Sequence, residues 1–251
     1  MKILRIGVSD DEYGPLPDEQ RFWYIVQQRL AEELGEPVET IRKRGWPGES
    51  LAGALDRWVE RERPDLVVFC AASYWVSFPS APTALERARL PLARPLAKVA
   101  TAISRRPAIA RTAPFRAARR LAYRTIGHRY FFEPLEAAAH VEAALRRVLR
   151  YEDVAVGVRG PIPLGLPLPP RLAAESRARC DAFGSILADL CDALHIPYLP
   201  AGPDEPPARS ELQPDLTHVN AAGHARRAEH EYRLHRAALQ QSGRLAAAPE
   251  R

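Results

Sequence analysis

Cysteine is scarce in this chain of 251 residues: there are three, Cys70, Cys180 and Cys191. No pair has the spacing of a metal site, and an odd, sparse count fits reduced thiols better than a disulfide framework. Long apolar runs are also missing, and no stretch approaches the roughly 18 residues that would read as a membrane span. The opening Met1-Lys2-Ile3-Leu4-Arg5-Ile6-Gly7-Val8 is too short and too charged for a secretory signal and reads as a strand. The expected location is therefore cytoplasmic. No internal repeat is visible. The formal net charge of +5 comes without any nucleic-acid-binding motif, so nothing beyond charge favours nucleic acid as a partner. Acids all but vanish between Pro79 and Tyr130, where Glu86 faces eleven arginines and one lysine.

What is present has an ordered grammar. Lys2 to Val8 suits a first buried strand. Asp18 is placed to cap a helix over about 19–34, with Phe22, Trp23, Val26, Leu30 and Leu34 on its apolar face and Gly35 as its stop. Pro37 to Arg42 reads as a second strand. The turn Arg44-Gly45-Trp46-Pro47-Gly48-Glu49-Ser50 opens a helix to about Arg61. Leu66 to Ala72 is a short continuous apolar run, the form of a central parallel strand. After the basic stretch come a helix over about 134–150, a strand near 154–158, a helix over about 171–194, and a last strand at 196–199. Pro197 marks that strand as an edge. A final helix runs from Ala221 to about Leu239, with fraying expected from about Gln241. Strands alternating with helices predict a parallel sheet covered on both faces. The domain expected is a single one over 1–251, interrupted by a basic helical insertion at 79–132. That insertion reads equally as a solvated surface or as something functional: a lid, an oligomer contact, or a patch for an anionic ligand or membrane surface.

The chemistry gathers near the C-terminus, in Asp215-Leu216-Thr217-His218-Val219-Asn220. Asp215 and His218 are spaced so that the carboxylate can hold one imidazole nitrogen while the other faces outward as a base. Alone, the pair reads as a capping carboxylate and a surface histidine. A nucleophile would change that reading. Ser9, in the turn after the first strand, is the candidate, because a serine needs an exposed hydroxyl and an adjacent base. The backbone amides of Ser9 and Gly48 are candidates to stabilise a negative oxygen. Asn220 reads as a turn stabiliser, His224 as a packed or capping histidine, and Cys70 as a buried strand residue. Trp46, Trp75 and Phe78 read either as a pocket lining or as core.

In this order the pieces resemble the SGNH (GDSL-type) hydrolases. Their Gly-Asp-Ser block is matched by Gly7-Val8-Ser9, their glycine block at Gly48, and their Asp-x-x-His block by Asp215-Leu216-Thr217-His218. The resemblance implies a three-layer α/β/α flavodoxin-like fold and a carboxylic-ester hydrolase working through an acyl-enzyme. Ser9 would be the nucleophile, His218 the base, Asp215 the orienting acid and Gly48 an oxyanion donor. No cofactor or metal is implied, and the partner would be a small-molecule ester; acyl transfer would use the same residues. Two departures stand out. Val8 replaces the aspartate before the serine. The Gly-x-Asn-Asp block after the third strand is replaced by Ala72-Ser73-Tyr74-Trp75, which puts Tyr74 where the family has its oxyanion asparagine. Tyr74 then reads as a pocket wall or a substitute donor, with Ser73 as another candidate. One lost oxyanion donor costs about 100- to 1000-fold in rate. The alternative is therefore a non-catalytic or very slow relative that binds a ligand or partner through its basic insertion.

Overall fold

The computed structural model describes residues 1–7, 9–12, 15–80, 83–84, 112, 114, 117, 121, 128–163, 168–201, 207–213 and 218–246. Five strands, β1 (Lys2–Gly7), β2 (Glu39–Arg44), β3 (Leu66–Cys70), β4 (Ala155–Arg159) and β5 (Tyr198–Leu199), form one parallel sheet in the order β2-β1-β3-β4-β5. This is the doubly wound order that reverses direction between β1 and β3 and opens a crevice at the carboxyl ends of those strands. The helices are α1 (Phe22–Leu34), α2 (Glu49–Glu62), the short α3 (Tyr74–Ser77), α4 (Pro134–Val148), α5 (Pro170–Ala193) and α6 (Ala221–Gln241).

The period-2 alternation of the strands sorts the core into two sides. Leu4, Ile6, Val67, Phe69, Val156 and Val158 pack against α2, α4 and α5 through Leu55, Val141, Leu145, Phe183 and Leu187. Ile3, Leu66, Val68 and Ala155 pack against α1 and α6 through Phe22, Val26, Leu30, Leu234 and Ala238. The three-layer α/β/α arrangement expected from the sequence is what the chain adopts.

Several local expectations shift. Asp18 does not cap α1: it begins a separate 3₁₀ turn, Asp18–Gln20, and the N-cap of α1 is Arg21, without a side-chain cap. The second strand lies two residues later than its apolar pattern suggested, because Glu39–Arg44 pairs residue for residue with Lys2–Gly7. Of the residues expected to fray, 242–246 are described, and they are tied down. Arg244 reaches Asp65 at 2.7 Å, and its amide donates to the Leu239 carbonyl at 2.9 Å. Gly35 ends α1 in the left-handed conformation (φ 67°). Most of the basic insertion lies outside the described residues. Its two ends are joined, however: Ser80 and Arg129 exchange backbone hydrogen bonds at 2.9 and 3.2 Å, and the Phe132 amide donates to the Trp75 carbonyl.

Candidate functional site

The turn after β1 is built around buried charge. Arg5 points from mid-strand into the α1/α6 layer with 1% of its surface exposed. Its Nε donates to Asp11 Oδ1 at 3.0 Å, and Nη1 and Nη2 donate to the two Glu231 oxygens at 2.9 and 3.2 Å. Arg159, on the equivalent face of β4, sits 3.7 Å from Glu231 through Nε and donates to the carbonyls of Leu199 and Pro200. Burial alone would raise the Glu231 carboxyl, but Arg5 and Arg159 outweigh it and hold the group down at about 2. Burial raises Asp11 despite its bond to Arg5. One ionic network thus ties β1, β4, α6 and the turn Ser9–Asp11 together.

That turn is fixed from outside as well. The Asp11 carbonyl accepts from Trp23 Nε1 (3.1 Å) and Arg42 Nη1 (3.0 Å), and the Glu12 amide donates to the Ser9 carbonyl. Gly7 is required beneath it, since a Cβ there would lie 1.4 Å from Asp11 Oδ2. The result is an exposed Ser9 on a clamped backbone.

On the opposite side, the chain entering α6 is pinched. Leu212 and Val219 form an antiparallel bridge, the Gln213 amide donates to the His218 carbonyl (2.7 Å), and Gln213 Nε2 donates to the Val219 carbonyl. Asn220 caps α6 by accepting from the Gly223 amide at 3.2 Å and donates to the Ser210 carbonyl. It is a turn residue, as its sequence position suggested. His224 is fully buried, stacked on Phe22 with ring centroids 5.3 Å apart, and its Nδ1 accepts from the Phe22 amide at the start of α1. Burial, with the Arg227 charge adding to it, lowers His224 to about 4. It is a packed capping histidine.

These two constructions bring Ser9 and His218 together: His218 Nε2 lies 3.0 Å from Ser9 Oγ. With the imidazole proton on Nδ1, the serine hydroxyl donates to Nε2. Asp215 lies outside the described residues. Ser9 opens into a cleft of about 720 Å³, counting its open mouth, lined also by Asp10, Ser73, Tyr74, Arg159 and Arg227. Gly48 caps α2 at φ 156°, ψ 168°, a conformation open to glycine, and is not among the residues lining this cleft. Cys70 lies in the floor of the cleft with its thiol pushed up by burial, which leaves it unreactive.

Tyr74 belongs to two surfaces. It lines the cleft, and it is one of a group of aromatic rings with Phe78 (centroids 4.4 Å), Phe131 (5.1 Å) and Trp46 (6.3 Å). Trp46 is 47% exposed and Tyr74 36%, whereas Trp75 is buried in the core against Phe69 and Phe183. Of the three aromatics singled out in the sequence, Trp46 and Phe78 therefore stand beside the site and Trp75 does not. Sequence reasoning missed Arg5, Asp10, Asp11, Arg159, Arg227 and Glu231. The available signal was an arginine in the middle of one apolar strand (Arg5) and another at the end of a second (Arg159), with a glutamate in helical step with Ala228 and Leu234 on the last helix.

Among the described residues, no helix is long and apolar enough to cross a membrane, and no group of three or more His, Cys, Asp or Glu side chains is placed to hold a metal ion. No curated protein sequence matches the chain. Solved structures resemble it in fold. TesA is 15% identical over 96% of this chain and 99% of its own, with a TM-score of 0.56. The psychrotrophic esterase EstA from Pseudoalteromonas sp. is 14% identical over 95% and 98%, at 0.53. Est24, a carbohydrate acetylesterase from Sinorhizobium meliloti, is 14% identical over 92% and 96%, at 0.54. The model of the GDSL-like lipase/acylhydrolase family matches residues 7–226, from the glycine before Ser9 to the first turns of α6, and the chain belongs to that family.

Proposed function

We propose that the protein is a serine hydrolase of small carboxylic esters. The observation that carries the reading is the 3.0 Å separation of Ser9 Oγ from His218 Nε2 at the mouth of a cleft, on the carboxyl edge of the sheet. Membership of an acylhydrolase family and the esterase descriptions of EstA and Est24 support ester hydrolysis.

In this reading Ser9 Oγ attacks the acyl carbon as its proton passes to His218 Nε2. The tetrahedral intermediate collapses when the alcohol oxygen takes that proton and leaves. Water, deprotonated by His218, then attacks the acyl-enzyme and releases the acid with Ser9 restored. Asp215 holds the imidazole tautomer from the carboxylate side. The Ser9 backbone amide and the Gly48 and Ser73 positions are the oxyanion candidates, in place of the asparagine that the family carries where this chain has Tyr74. The Tyr74 ring packs among Phe78, Phe131 and Trp46, which favours a wall over a donor.

The test is a panel of short-chain chromogenic esters with wild type and Ser9→Ala. Turnover is expected in the wild type and a loss of at least about 1000-fold in the variant. Equal rates would remove Ser9 from the mechanism. Well-folded wild type with no turnover and no fluorophosphonate labelling would favour the binding-protein reading instead.

A further inference from the structure

The cleft that Ser9 lines has two unlike parts. In one, formed by β1, β4, α6 and the turn at Asp10, the charged side chains are paired with one another: Asp10 with Arg227 at 2.6 Å, and Glu231 with Arg5 at 2.9 Å and Arg159 at 3.7 Å. With Asp11 on Arg5 at 3.0 Å, three arginines face three carboxylates. That balance suits an uncharged ligand, since an ion entering here would compete with pairs already made.

The other part is aromatic. Tyr74, in α3, lines the cleft, and its ring lies against Phe78 (4.4 Å between centroids, 32° between planes) and Phe131 (5.1 Å, 29°). Phe78 and Phe131 are within 14° of parallel. Trp46 closes the group from the turn before α2, edge-on to Phe131 at 5.3 Å and 6.3 Å from Tyr74. Trp46 and Tyr74 are the exposed members. Single exposed aromatics are ordinary, but contiguous rings that run into a cleft mark a binding surface. The backbone that carries them is fixed. Ser77 Oγ donates to the Ser73 carbonyl at 2.7 Å, Ser176 Oγ to the Ser77 carbonyl at 2.6 Å, and Arg179 to the carbonyls of Val76 and Phe132 at 2.6 and 2.8 Å. An apolar surface held in this way needs little ordering when it binds. A sugar laid on it would set hydroxyls against Phe78 and Phe131, whose rings carry no hydrogen-bonding atom. An aromatic ring extends the stack that is already there.

We propose that Trp46 and Tyr74 form the specificity subsite for an aromatic ring of the ester, so that the substrate class is an uncharged, aryl-bearing ester. Its ester group reaches Ser9 while its ring covers the exposed faces of Tyr74 and Trp46. The inference rests on the ester-hydrolase reading for its kinetic consequence, while the subsite itself is testable by binding.

The experiment compares ethyl acetate, benzyl acetate and ethyl phenylacetate as substrates of the full-length chain. In the two aryl esters a methylene group separates the ring from the ester, so the reactivity of the ester itself changes little. Benzyl acetate carries the ring on the alcohol and ethyl phenylacetate carries it on the acid, so the faster of the two shows which part lies on Trp46. That substrate should exceed ethyl acetate in kcat/KM by at least about tenfold. In Trp46→Ala this ratio should fall at least about fivefold, and Trp46→Phe should keep most of it. The inference is overturned if neither aryl ester exceeds ethyl acetate, if the ratio is unmoved in folded Trp46→Ala, or if a monoacetylated methyl glucoside outruns both aryl esters. If Trp46→Ala does not fold, the same ratio in Tyr74→Ala decides. Wild type that hydrolyses none of these esters defeats the hydrolase reading. An NMR titration of the Trp46 indole N–H with benzyl acetate, its signal assigned by its loss in Trp46→Phe, then decides the subsite: a saturating shift supports it and no shift overturns it.

Discussion

Glu231 is the most informative residue to change, because its buried carboxylate neutralises two buried arginines. Glu231→Gln keeps the shape and some of the hydrogen bonding but removes the charge. The Arg5 contacts at 2.9 and 3.2 Å and the Arg159 approach at 3.7 Å correspond to a gross Coulomb attraction of about 10 kcal/mol at an effective dielectric of 20. Desolvation of the ions offsets much of this, and Arg5 keeps Asp11 while Arg159 keeps two carbonyls. The loss expected is about 3–5 kcal/mol, the range for breaking one partner out of a buried pair. Set against a total of about 5–15 kcal/mol, that is a large fraction. In urea, with a slope near 3 kcal/mol/M for a chain of this size, the midpoint should fall by about 1–1.7 M. Because the same carboxylate braces the turn that carries Ser9, ester turnover should fall too, even at temperatures where the variant is folded. A midpoint shift under about 0.3 M in Glu231→Gln would refute the claim that this network bears on both fold and site.

Acid should destabilise the protein in two stages. Burial lowers His224 and His235 from the ordinary 6.5 to about 4, so the unfolded chain takes up protons first. Each histidine's contribution, about 3 kcal/mol, is present above pH 6.5 and is lost as pH falls toward 4. Glu231, held at about 2 against an ordinary 4.5, adds a second loss as pH falls from about 4.5 toward 2, opposed in part by the raised Asp11. Urea midpoints measured from pH 8 to pH 4 should drop steeply below about 6.5, and a flat profile between 7 and 5 would contradict the burial of both imidazoles. For Tyr74, the wall role predicts that Tyr74→Phe changes kcat by less than about threefold while Tyr74→Ala raises KM. A loss of 100-fold or more in Tyr74→Phe would make the phenol an oxyanion donor.

The layered fold was legible because its signals are local and periodic. Leu66–Cys70 reads as a buried strand, and the Phe22, Val26 and Leu30 spacing reads as one face of a helix. The pairing of Ser9 with His218 was legible for a different reason, through the order of short blocks at the two ends of the chain. What stayed hidden depends on which side chains meet across the sheet. Arg5 looks like a surface residue until α6 brings Glu231 over it. Asp10 and Asp11 look like ordinary turn acids, yet they face Arg227 and Arg5. Asp18 looked like a helix cap, but the chain uses it in a separate turn before Arg21. The expectations for Asp215 and for most of residues 79–132 fall on segments outside the described residues.

The central claim, that Ser9 and His218 form a nucleophile and base, is tested most directly by mass spectrometry of the intact, folded protein after brief exposure to a fluorophosphonate. The account predicts one adduct, on the peptide containing Ser9, absent from Ser9→Ala and formed at least about 100-fold more slowly in His218→Ala. No adduct on folded wild type, or an adduct on another residue that persists in Ser9→Ala, would contradict it.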